Sequence, residues 1–320
     1  MRETNAQTNS QARGVVRLTA KEEGVDWVFP SINQFTTRDT MPQESFLGSF
    51  FILEEMNTMN KPILIRDHFE NAKQYQIPRA DLIICDLPYE LGEKMYASNP
   101  SWYNQGDRAN GESKLAHKAA FNTDYRFSIP NFFSFATRLL RKEPGKGEKG
   151  APCMIVFCSF QQIPIVISEA EKAGFKHAQH LSFIKKSSPQ ALKANMKICG
   201  ATEHALLLYR DKLPKFNNVD PVDGQHHMIL DWFPFERDGK DIPRIHPTQK
   251  PVKLLKRLIS IFTDPGDVVI DCCAGSGSTL RAAWELGRQA YGFEVDKRFF
   301  TDAVEQMLAP AYANTALQNG

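Results

Sequence analysis

Seven short apolar runs recur along this chain, at 63–65, 82–85, 154–158, 182–184, 205–209, 268–270 and 290–293. Helix-like segments fall between several of them, at 132–141, 164–173, 252–262 and 279–286. In the third segment Val252, Leu255, Ile259 and Phe262 share one face, while Lys253, Lys256 and Arg257 take the other. Short buried strands alternating with amphipathic helices leave few architectures open. The pattern predicts an α/β fold with a mostly parallel sheet covered by helices on both faces.

The 320 residues are 42% hydrophobic and 24% charged, enough for one large or two modest domains. Net charge is +2, so a polyanionic partner would have to be met by local clusters rather than by the whole surface. Cysteines 85, 153, 158, 199, 272 and 273 show no Cys-x-x-Cys spacing, and most sit in apolar runs. Buried reduced thiols are expected, with no disulfide framework and no metal site. The adjacent His226 and His227 are read as surface residues. No run has the length of a bilayer span, and the first residues lack a signal-like apolar segment, so a cytoplasmic protein without a membrane partner is expected.

The expected organisation is a disordered tail at 1–14, an N-terminal extension at 15–59, a main domain at 60–310 and a tail at 311–320. In the extension, "ESFLGSFFILEEM" reads as a helix. Within the main domain, 90–128 is polar, aromatic and glycine-bearing, as a long mobile loop would be, 143–152 is a surface turn, and 210–245 is an irregular insertion.

Two strand ends carry acids. "DLIICDLPYE" (81–90) is an apolar strand that stops at Asp86, followed by Leu87, Pro88 and Tyr89. "VVIDCCAGSGSTLRAA" (268–283) is a strand ending in Asp271, then Ala274, Gly275 and Gly277, then a helix beginning near Ser278 or Thr279. Glycines there permit a sharp turn and close approach of a ligand. Gly-x-Gly alone is weak, but the next strand ends in Glu294, 23 residues beyond Asp271, where an acid can accept from a ribose diol. An acid at the strand tip does not help a pyrophosphate. It suits a ligand carrying an ammonium, and S-adenosylmethionine fits better than NAD. Upstream, "RIHPTQKPVKLLKRLI" (244–259) places Pro251 in a first helical turn with Thr248 as its cap. In an open parallel sheet ligands gather at the carboxyl ends of strands, so Asp86 and Asp271 are expected to face one crevice.

"DLPY" at 86–89, "HPTQKP" at 246–251 and "DCCAGSGST" at 271–279, in that order, resemble the amino-methylating (N6-adenine/N4-cytosine) DNA methyltransferases of the β arrangement, over roughly residues 60–308. The resemblance implies a Rossmann-like methyltransferase fold: a mostly parallel seven-stranded sheet with a terminal antiparallel hairpin, a catalytic half at 60–209 and a cofactor half at 246–310. It implies S-adenosylmethionine as cofactor, no metal, and double-stranded DNA as partner, in a prokaryotic or phage-infected cell, in restriction-modification or epigenetic methylation; a homodimer is compatible with it. Cofactor contacts would be Asp86, Asp271, Ala274, Gly275, Gly277 and Thr279, with Glu294 on the ribose, Asp67 near the adenine ring, and His246, Thr248, Gln249 and Lys250 holding the methionine end. The sequence departs from the family's commonest tetrapeptide, Asp-Pro-Pro-Tyr, at Leu87.

By the same resemblance the target base is flipped out of the duplex. Tyr89 would stack on it, the Asp86 carboxylate and Leu87 carbonyl would accept from its amine, and Pro88 would stiffen the loop. Asp in first place points to adenine-N6. The alternatives are cytosine-N4 methylation, an RNA substrate, or an inactive nucleic-acid-binding module of the same fold. DNA contacts are expected from Trp102, Tyr103, Arg108 and Lys114 in the 90–128 loop, and from Lys185, Lys186, Lys193 and Lys197 in "FIKKSSPQALKANMK".

Overall fold

A computed structural model describes residues 61–88, 127–148, 150–186, 191–193, 198–220, 222–246 and 248–313. The 1–14 tail, the N-terminal extension, nearly all of the 90–128 loop and residues 314–320 of the C-terminal tail lie outside the described residues, as do Tyr89, Trp102, Tyr103, Arg108, Lys114 and Lys197; residues 311–313, expected as tail, end a short helix, Ala309–Ala313.

The strands are β1 (Ile63–Ile65), β2 (Leu82–Asp86), β3 (Cys153–Cys158), β4 (His177–Lys185), β5 (Ala191–Lys193), β6 (Ile198–Cys199), β7 (Thr202–Tyr209), β8 (Trp232–Phe235), β9 (Val268–Asp271) and β10 (Gln289–Phe293). The principal helices are α1 (Ile129–Leu139), α2 (Ile163–Lys172), α3 (Val252–Phe262), α4 (Ser278–Glu285) and α5 (Lys297–Asp302). Eight strands form one sheet in the order β1-β10-β9-β2-β3-β7-β4-β8. All neighbouring pairs are parallel except those made by β7, which runs against both β3 and β4. β5 and β6 pair as a separate small hairpin.

The sheet has one strand more than the seven expected. The extra strand, β8, comes from the stretch read as irregular and adds to the edge beside β4. It contains Pro234, which an edge strand tolerates because one side of it makes no ladder bonds. The reversed β7 sits inside the sheet, between β3 and β4.

Alternation along β2 shows why both faces are covered. Leu82 and Ile84 join the core under α3 and α4, built from Leu255, Ile259, Phe262, Leu280 and Ala283. Ile83 and Cys85 join the opposite core under α1 and α2, with Phe132, Phe133, Ala136, Val166 and Ala170. A strand buried on both sides must be continuously apolar, as these runs are. Among the described residues no helix is long and apolar enough to cross a membrane.

Candidate active site

The connections leaving β9 and β2 diverge: α4 carries β9 outward to β10, and α1 carries β2 the other way to β3. The two strands are neighbours, so a crevice opens between their carboxyl ends. Four acids stand along that edge in sheet order, Asp67 after β1, Glu294 after β10, Asp271 at the end of β9 and Asp86 at the end of β2. Asp86 and Asp271, 185 positions apart, are near enough for the charge of one to act on the other.

Asp271 is 3% exposed. It accepts from the Cys273 N–H at 3.0 Å and from Thr279, yet burial pushes its carboxyl up to about 7. Glu294 accepts from Gly275 N at 2.8 Å and from Asp296 N at 2.7 Å; burial again dominates and raises it to about 7. The Gly275 N–H is thus held by Glu294 from the neighbouring strand. Gly277, with φ 73°, is the N-cap of α4, a left-handed conformation that disfavours any side chain. Ala274 is buried and its N–H donates to Phe293 O. Asp67 accepts from His68 N, Asn71 Nδ2 and Tyr75 Oη, the last at 2.6 Å, and these bonds hold its carboxyl below the ordinary range.

At the tetrapeptide, the Leu87 N–H donates to Phe157 O at 3.0 Å, and the side chain is buried in the core shared with α1 and α2. Proline, the family's commonest residue there, could not make that bond. Pro88 O accepts from Gln162 Nε2 at 2.7 Å, and Gln162 in turn accepts from the N–H and hydroxyl of Ser159. Gln162 was not legible as a site residue: it stands 74 positions from Pro88 in an ordinary helix entry.

The 246–251 loop departs most from expectation. The Gln249 side chain braces its own loop, accepting from Ile245 N and donating to Pro243 O. Lys250 turns onto Asp86, its Nζ 2.6 Å from Oδ2, and onto Glu203 at 2.9 Å. The start of α3 is capped by Asp238, which accepts from Val252 N and Lys253 N, and not by Thr248. Pro251 is the N-cap residue rather than a member of the first turn. Thr248 bonds instead to His246 Nδ1, through its N–H at 3.3 Å and its hydroxyl at 3.2 Å. His246 packs on Phe299 with ring centroids 4.3 Å apart, and burial lowers its pKa to about 4, so it is neutral at pH 7.

Of the basic residues expected at DNA, Lys185 pairs with Glu203 and lies 4.8 Å over the Phe235 ring, a contact within the protein. Lys186 is largely exposed, 3.2 Å from Glu236. Lys193 lies on β5. Asp223 and His227 form an exposed pair at 2.7 Å on a turn. The five cysteines whose side chains are described, Cys85, Cys153, Cys158, Cys272 and Cys273, are free thiols.

A sheet of this order, with one reversed strand near an edge and acids at the tips flanking its switch point, defines the methyltransferase variant of the Rossmann arrangement. Comparison with known proteins narrows the class. The DNA methylase family N6_N4_Mtase matches residues 80–305, and the chain belongs to that family. It is an amino-methylating DNA methyltransferase. The DNA adenine methyltransferase YhdJ of Escherichia coli (strain K12) is 25% identical over 256 residues, 75% of this chain and 80% of YhdJ. A crystal structure of an M1.HpyAVI–SAM complex superposes with a TM-score of 0.51 at 22% identity, covering 76% of this chain and 98% of the other. The PvuII DNA methyltransferase (cytosine-N4-specific) gives 0.51 at 15% identity, covering 80% and 94%. Both structural likenesses are of fold.

Proposed function

We propose that the chain transfers a methyl group from S-adenosylmethionine to the exocyclic N6 of an adenine flipped out of double-stranded DNA at a specific sequence. The observation that carries this reading is the meeting of Asp86, at the head of Asp-Leu-Pro-Tyr, with Asp271 and the glycine loop across the β2–β9 crevice. The residues fit the cofactor. Burial raises the carboxyls of Asp271 and Glu294 despite the hydrogen bonds they accept, and an ammonium with a ribose diol would offset that cost.

In this reading Asp271 and Thr279, with the turn at Ala274, Gly275 and Gly277, hold the ammonium end, Glu294 takes the ribose and Asp67 borders the adenine ring. His246 and Thr248 line the methionine end. Residues 60–209 act as the catalytic half and 246–310 as the cofactor half. When bound, S-adenosylmethionine supplies an electrophilic methyl on sulfur. Asp86 and the Leu87 carbonyl accept from the target amine and turn its lone pair toward that methyl. Attack on that methyl would form the N–C bond at the expense of the S–C bond, whose electron pair would remain with the departing thioether, and would build positive charge on the amine nitrogen. The fixed carboxylate stabilises that charge more than the neutral ground state, and the surplus proton leaves through it to water. Tyr89 would give the flipped base a face to stack on.

Asp in first place of the tetrapeptide and the likeness to YhdJ, named an adenine enzyme, support N6. Methylated DNA digested to nucleosides should contain N6-methyldeoxyadenosine. N4-methyldeoxycytidine in its place would transfer the same mechanism to the other base.

A further inference from the structure

Three charged side chains from distant parts of the chain converge behind Asp86. Lys250, 7% exposed, enters from the turn before α3 and lies between Asp86 Oδ2 and Glu203 Oε2, at 2.6 and 2.9 Å. Glu203 is second on β7; because β7 is reversed, its first residues stand beside the carboxyl end of β3 and so near the tetrapeptide. Lys185 at the end of β4 closes on the other side of Glu203. Below Lys250 the Phe157 ring lies 5.1 Å from Nζ.

Burial alone would lower the Lys250 pKa, but Asp86 and Glu203 outweigh it and hold the ammonium protonated. Burial would likewise raise Glu203, but the two lysines outweigh it and keep it ionised. Desolvating an ion pair costs several kcal/mol per ion, so stability alone does not explain such a cluster at the crevice wall. Its geometry fixes one oxygen of Asp86 and therefore the rotation of the carboxylate. Among the described residues, Asp271 from β9, and Cys158 from β3 and Cys273 from the glycine loop, both thiols whose pKa values are raised, also face Asp86.

We propose that Lys250, held in place by Glu203, is a positioning residue that sets the orientation and charge of the Asp86 carboxylate for amine methylation, rather than a ligand of the cofactor. This rests on the reading of Asp86 given above.

The test measures kcat, KM, the pH dependence of kcat and S-adenosylmethionine affinity by calorimetry in Lys250→Met, Lys250→Arg, Glu203→Gln and Asp86→Asn. A carboxylate that loses its cation and still faces Asp271 binds a proton more tightly. Lys250→Met should lower kcat by about 100-fold, change cofactor affinity by less than about twofold, and move the acid limb of the profile to higher pH. Lys250→Arg should recover part of kcat. Glu203→Gln removes a negative charge from the same cluster and should move the limb to lower pH. Opposite shifts cannot arise from a general loss of structure. An unmoved limb, or a loss of cofactor affinity matching the loss of kcat, overturns the proposal. Should Lys250→Met fail to fold, Lys250→Arg and Glu203→Gln carry the same test through the limb. Full activity in Asp86→Asn would instead sink the underlying reading of Asp86, so the two failures are told apart.

Discussion

Leu87 shows how one residue can leave its family's commonest pattern without loosening a site. Its N–H extends the β2–β3 ladder by one bond to Phe157 O, and its side chain fills core beneath α1 and α2. The stiffness that a proline would give is supplied here by that bond and by Gln162 holding Pro88 O. Leu87→Pro should therefore destabilise this protein although it restores the common tetrapeptide. An unpaired Phe157 carbonyl and a smaller core side chain predict a loss of about 1–3 kcal/mol, read as a lowered midpoint in urea at unchanged slope. An unchanged midpoint would mean the bond is not made.

At the scale of elements, the helix entry before α3 ties the insertion to the cofactor half. Asp238 lies 14 residues before Val252, and its two oxygens accept the first N–H groups of α3, which carries much of one core. Asp238→Ala should cost about 1 kcal/mol, visible as a drop of about 2–4 °C in Tm, whereas Thr248→Ala should leave stability nearly unchanged. β10 offers a second check. A Cβ at Gly292 would stand 2.7 Å from Leu280 Cδ1 and 3.1 Å from Ala274 Cβ, so Gly292→Ala should push α4 and the glycine loop off the sheet and weaken S-adenosylmethionine binding in calorimetry.

How much of this was legible in the sequence depended on local punctuation. β1 and α3 are legible at their observed bounds because each follows a proline and ends at a polar residue, Arg66 or Thr263. β4 was read as 182–184 and runs from His177, because its exposed first half is polar. β8 was missed because a proline interrupts four residues that pair only at an edge. The crevice acids at 86, 271 and 294 were legible because an acid that closes an apolar run is a local pattern. Lys250 on Asp86 was not, since it spans 164 positions and depends on the reversal of β7. Mutual burial of the acids also gives the whole molecule a pH signature. Asp271 and Glu294 move from ordinary values of 3.8 and 4.5 to about 7, so each binds its proton more tightly when folded. Their contribution is present below pH 4 and is lost as pH rises to about 7, while His246, lowered from 6.5 to about 4, acts in the opposite sense. Two acids against one histidine predict that these groups together make the cofactor-free protein less stable at pH 7 than at pH 5. Glu294→Gln should flatten that fall in thermal unfolding; an equal slope in the variant would remove Glu294 as its source.

The central claim is that Asp86 carries methyl transfer while the cofactor is held by the neighbouring strands. Its most direct test is transfer of a labelled methyl group from S-adenosylmethionine to duplex DNA by Asp86→Ala, with cofactor affinity measured on the same preparation. Transfer should disappear and affinity should stay within about threefold of the native protein. Transfer at the native rate would contradict the account.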